Sequence, residues 1–156
     1  MVALSIAAVM LMFALPAFND FSNQRRIAAN ANYIISAINY ARNEAARQGV
    51  NATVQAEDNA DGDNEWGPGF CVTLNDPGNC DTPLTTFMPE GDITINATSA
   101  SLDGGDSMTF AANGLYTAGA AESIEVCGPD AASDPGREIR ISAIGRASTQ
   151  QFVCFP

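Results

Sequence analysis

The sequence predicts an α+β chain: one long, bent N-terminal α-helix packed on an antiparallel β-sheet domain. Two observations carry that reading. Residues 1–49 hold an apolar run followed by apolar positions at helical spacing, and residues 50–156 change to short alternating stretches separated by turn clusters. At 156 residues there is room for one domain and an appendage.

The opening, "MVALSIAAVMLMFALPAFNDF", has no charge before Phe18. As a helix the run is roughly 27 Å long, close to the hydrocarbon thickness of a bilayer. Residues 1–21 are therefore expected to form a membrane or filament-core segment, carried by Val2, Ala3, Leu4, Ile6, Ala7, Val9, Leu11, Phe13, Pro16 and Phe18. A cleavable signal peptide would put basic residues ahead of the run, but the first basic pair, Arg25 and Arg26, follows it. Basic residues flank the cytoplasmic side of a span, so N-terminal processing and orienting charges upstream of Met1 are expected. Ala3 and Ala7 have the small-residue spacing that lets helices approach closely. Pro16 lacks an N–H and should kink or locally melt the helix, with Asn19, Asp20 and Ser22 available to cap a restart.

Residues 22–49 keep a helical period. Ile27, Ala31, Ile34, Ile35, Ile38, Ala41 and Ala45 share one face, and Gly49 is a natural stop. This amphipathic part is expected to pack on the sheet. A lone membrane anchor needs no such extension, whereas a helix that docks a domain and also packs against other copies needs both halves.

After Gly49, alternation marks strands at Val50–Val54, Phe70–Leu74, Ile93–Ile95, Met108–Phe110, Ile124–Val126 and Ile139–Ile141. The intervening "NDPGN", "LDGGD", "ANG" and "GPDAASDPG" are turn clusters. The pattern predicts one antiparallel sheet of roughly six or seven short strands with an apolar face under the helix. No strand–helix–strand repeat points to a doubly wound nucleotide-binding fold.

Charge and composition exclude several function classes. Seven Arg oppose eighteen Asp and Glu, for a formal net charge of −11, which argues against broad nucleic-acid binding. With no His, a Ser-His-Asp triad, a Cys-His dyad and a His-ligated zinc site are all absent. Cys71, Cys80, Cys127 and Cys154 form an even set without close pairs of zinc-site spacing, and read as two disulfides made in an oxidising compartment. Three connectivities are open; Cys71 with Cys80 and Cys127 with Cys154 is the preferred one.

With helix and strands placed, the opening run and the amphipathic stretch ending "ARNEAARQG" resemble the N-terminal helix of type IV pilin-like proteins. Within that family, "NYARNEAARQG", "WGPGF" from Trp66, "MTFAANG" from Met108 and "REIRISAIGRAS" from Arg137 are similar to the GspH/FimT group of pseudopilins and minor pilins. The resemblance covers nearly the whole chain. It implies a pilin-like fold, trimming by a prepilin peptidase and storage in the inner membrane. It further implies assembly, with other pilins or pseudopilins, into a surface pilus or periplasmic pseudopilus powered by a separate ATPase. Some members bind DNA through a Gly-Arg-x-Arg motif; here Gly145 and Arg146 match and Ser148 replaces the second arginine. Arg146 is thus the one candidate DNA ligand, and the acidic balance argues against it.

A second candidate is "AEDNADGDNEW", where Glu57, Asn59, Asp61, Asp63 and Glu65 present oxygens around Gly62 as a calcium loop would. Pro68 stands where a closing bidentate Glu belongs, so a solvated acidic loop is the preferred reading and no cofactor is expected. Asn51-Ala52-Thr53 and Asn96-Ala97-Thr98 match glycosylation triplets and are read as unmodified. Tyr33, Tyr40, Trp66 and Tyr116 are expected in helix–sheet packing. Asp103 and Asp106 lie in a Gly-rich turn with no apolar pocket around them, which makes an enzyme the least favoured class. The expected function is a structural filament subunit, with the major building block of a pilus preferred over a minor pilin or a secretion pseudopilin.

Overall fold

The computed structural model describes residues 2–57, 64–75, 78–99, 102, 106–129 and 135–154, with side chains from residue 20 onward. Helix α1 runs from Val2 to Gln48 without interruption. Local melting at Pro16, one of the two outcomes expected there, is therefore corrected, and Asn19, Asp20 and Ser22 lie inside the helix instead of capping a restart. A proline removes one helical hydrogen bond, whereas melting and restarting would unpair a full set of end groups and require a second nucleus. Gly49, with φ at 68°, ends the helix by donating its N–H to the Ala45 carbonyl at 2.9 Å.

Eight strands follow: β1 (Ala52–Ala56), β2 (Phe70–Leu74), β3 (Thr85–Phe87), β4 (Thr94–Ala97), β5 (Ser107–Phe110), β6 (Glu122–Cys127), β7 (Pro135–Ile141) and β8 (Ala147–Val153). They form two four-stranded sheets, ordered β3-β2-β1-β5 and β4-β6-β7-β8, with every pairing antiparallel. The single sheet expected from sequence is thus two. The added strands have a physical signature of their own. β3 is only three residues long, and Ser148 through Gln151 of the edge strand β8 are all exposed, so neither shows apolar alternation.

The helix lies against both sheets, packing on β7, β1 and β2. Ile27, Ala31, Ile34, Ala37, Ile38, Ala41 and Ala45 are buried, while Ile35 is only partly so. Facing them are Val54, Met108 and Phe110 from one sheet and Ile95, Ile124, Ile139 and Ile141 from the other. Trp66 is fully buried beside Phe70, with ring centroids 6.0 Å apart, and Phe70 stacks on Phe87 at 5.3 Å. Tyr116 is buried as expected, but Tyr33 and Tyr40 are exposed at 38% and 39%, on the helix side away from the core. Their seven-residue spacing does place them on one face, which is the one turned from Ile34 and Ile38.

Two devices fix the helix and sheets. Buried Asn30 donates to the Glu90 carbonyl at 3.1 Å and accepts from the Glu90 N–H at 3.1 Å, a two-way clasp between α1 and the segment before β4. Disulfides join Cys71 to Cys80 and Cys127 to Cys154, the preferred connectivity. The second ties β6 to the residue after β8 across Gly136 of β7, where a Cβ would run into both sulfurs.

Candidate functional site

Three surfaces bear on function. The first is the exposed side of α1. Phe21 is 51% exposed, and the Arg25 guanidinium sits over its ring at 4.4 Å, a cation–π contact along one helical turn. Phe21, Ser22, Arg25, Arg26 and Ala29 line a shallow groove of about 340 Å³ there. Val2, Ala3, Leu4, Ile6, Ala7, Val9, Leu11, Phe13, Pro16 and Phe18 have helical backbone, and their side chains lie outside the described residues. Among the described residues, no helix is long and apolar enough to cross a membrane.

The second surface is a groove of about 560 Å³ at the end of the β6–β7–β8 sheet. Register places Ser123 opposite Arg140 and Arg140 opposite Ser148, so all three share the outward face. The β7–β8 turn adds Ser142 and Arg146, pinned by the Arg146 N–H donating to Ser142 Oγ at 3.0 Å. Gly145, with φ at 82°, permits that turn, and its bare Cα lies against the Phe110 ring. Arg140 donates to Glu138 at 3.1 Å, yet its side chain is 61% exposed against 13% for Glu138. Glu138 also accepts from Gln150 at 2.6 Å. Glu122 is buried behind the groove, accepting from the Tyr116 hydroxyl at 3.5 Å. Burial first, and then the Glu122 carboxylate, hold that hydroxyl protonated well above the usual phenol range. The candidate Arg146 thus belongs to a two-arginine, three-serine groove with Ser148 of the same motif; the sequence gives no sign that Arg140, Ser123 and Ser142 join them, because strand register and the β7–β8 turn bring them together.

The third surface is the acidic stretch. Asn59, Asp61 and Asp63 lie outside the described residues. Glu57 is exposed at the end of β1, and Glu65 is 3% exposed beside Trp66. Among the described residues, no group of three or more acidic or Cys side chains is placed to hold a metal ion.

A long helix whose residues Ile27 to Ala45 enter the core, laid on two small antiparallel sheets, defines a pilin-like subunit. Residues 30–145 match the family model for the type II transport protein GspH, and the chain belongs to that family. Its fold is similar to the type IV minor pilin FimU of Pseudomonas aeruginosa, with a TM-score of 0.67 at 24% identity over 83% of this chain and 92% of that one. A second crystal form of FimU gives 0.63 at 25% identity, covering 79% and 91%. The minor pseudopilin EpsH of the Vibrio cholerae type 2 secretion system gives 0.56 at 8% identity, covering 81% and 97%. No curated protein matches the chain.

Proposed function

We propose that this chain is a structural subunit of a type IV pilus-like filament, assembled through its N-terminal helix. One observation carries the reading: every described α1 residue in the core lies between Ile27 and Ala45, while residues 2–18 are uncharged and almost wholly apolar. An apolar helical surface of that length is stable only in lipid or against other helices. The subunit is stored in the inner membrane by that segment after trimming by a prepilin peptidase. It then enters a filament in which the segment is buried among neighbouring helices. Family membership and the minor-pilin and minor-pseudopilin folds support a minor subunit over the major building block.

The role is structural, not catalytic, and works without a cofactor; the acidic stretch acts as a solvated loop and not as a calcium site. Electron microscopy of filaments sheared from native cells, with quantitative mass spectrometry of their subunits, tests the reading. A minor subunit appears as a small, reproducible fraction of filament mass. Absence of the chain from every filament and from the inner membrane would remove the proposal.

A further inference from the structure

An edge strand leaves a row of backbone donors and acceptors unpaired, and folded chains shorten, cover or charge such edges. The two sheets have four of them: β3 and β5 in the first, β4 and β8 in the second. β3 is three residues long. β5 is covered at Thr109, whose carbonyl accepts from the Thr117 N–H and the Thr117 hydroxyl, each at 3.0 Å. β4 is filled at Ile95, whose carbonyl accepts from the Trp66 N–H at 3.3 Å and whose N–H donates to Asn64 Oδ1 at 2.7 Å.

β8 is different. The Ser142 N–H donates to the Arg146 carbonyl, which makes these two a hydrogen-bonded pair and sets the alternation along β7 and β8. Ala147, Thr149, Gln151 and Val153 therefore turn their N–H and C=O groups away from β7. Among the described residues, no backbone group closes that side of the strand. Thr149 and Gln151 are exposed, and Val153 is 68% exposed. The strand holds no charge and no proline, and its register with β7 runs unbroken from Ala147 to Val153. The usual guards of an edge are thus missing from the longest one.

The flanks of β8 select the occupant. Inward side chains of an added strand would lie over a cavity of about 120 Å³ between α1 and β8, lined by Ala28, Ala31, Asn32, Arg137 and Thr149, which has room for one small side chain. Outward side chains would lie beside Ser148 and the exposed Arg146, with Arg140 one strand further in, where a carboxylate is favoured. A second copy does not fit. Its β8 carries no acid to meet Arg146, pairing β8 with β8 closes after one two-fold contact, and its other edges are short or filled.

We propose that the free edge of β8 takes up an extended segment of a different filament subunit as an added strand, with a small side chain over the α1–β8 cavity and a carboxylate at the Arg146 end. The partner's place in a filament rests on the function proposed above; the edge contact does not. The test puts p-benzoylphenylalanine at Gln151 of the full chain in its native cells, irradiates sheared filaments and the inner-membrane fraction, and identifies the cross-linked peptides by mass spectrometry. One acid-bearing segment of a different subunit is expected. Thr149→Pro deletes an N–H that faces away from β7 and should cut the cross-link yield about tenfold. Arg146→Glu should cut it about fivefold. Unchanged melting temperatures of the purified variants show that the fold is intact; should Thr149→Pro lower its own, Arg146→Glu decides. A chain present in filaments with no cross-link from position 151, a cross-link to a second copy alone, or a yield indifferent to the substitutions overturns the proposal. A cross-link to a different subunit from a chain found in the membrane and in no filament keeps the edge contact and sinks the filament reading.

Discussion

Glu125 on β6 stands directly opposite Glu138 on β7, two carboxylates paired across the outward face of the second sheet. Partial burial, and then the Glu138 charge, push the Glu125 carboxyl above its ordinary range. Because the folded-state value lies above the unfolded one, the native protein binds the proton more tightly. Stability is therefore lost as pH rises through that window and regained as pH falls. Glu125→Gln should raise the melting temperature by about 1–3 °C at pH 7, from relief of a like-charge cross-strand pair, and flatten the pH dependence between the two values. Thermal melts from pH 4 to 8 on both proteins check this; a drop at pH 7 would refute the account. Glu44 has the opposite sign: its hydrogen bonds with Arg47 and then Gln48 hold its carboxyl low, so its contribution is present at neutral pH and fades on acidification.

Gly145 adopts a left-handed φ of 82°, and a Cβ there would lie 2.6 Å from Phe110 Cε1. Gly145→Ala combines strain with overpacking and should cost about 2–4 kcal/mol, read from the urea midpoint at constant slope. Gly119 has a similar φ of 66° with open space around it, so Gly119→Ala should cost clearly less.

Trp66 is fully buried, and among the described residues its indole N–H meets no acceptor. Trp66→Ala should destabilise by about 3–5 kcal/mol through the cavity it leaves. Trp66→Phe leaves a smaller void and removes an unsatisfied donor, so it should cost less than half as much. Guanidinium melts of the two variants decide this; equal losses would show that the N–H has a partner.

The Cys127–Cys154 disulfide closes a loop with a sequence separation of 27, against 9 for Cys71–Cys80. In the chain-entropy model these contribute roughly 3.6 and 2.7 kcal/mol. Paired Cys→Ala variants should therefore melt lower, the Cys127/Cys154 pair by more. Reversal of that order would show that strand pairing already confines the longer loop.

On the proposed reading of the acidic stretch as a loop without a metal, calcium at millimolar concentration should leave the melting temperature unchanged. A rise that saturates and is abolished by Asp61→Asn would assign the stretch to calcium.

The sequence by itself determined the long helix, the face it buries and the strands with apolar alternation, because each follows from local periodicity. Ile27, Ile34, Ile38 and Ala45 all read correctly for that reason. It also marked the four cysteines and, by resemblance, the family. Tertiary structure alone decided the rest. Division into two sheets depends on which edges pair, and β8 has too little buried face to announce itself in one dimension. Tyr33 and Tyr40 show the limit of composition: a large aromatic ring is worth burying only where the fold brings a surface to cover it. The helix through Pro16 and the Asn30 clasp are further cases, as is the meeting of Arg140, Arg146 and three serines in one groove. Each is set by contacts between residues far apart in the chain, whose energies no local pattern contains.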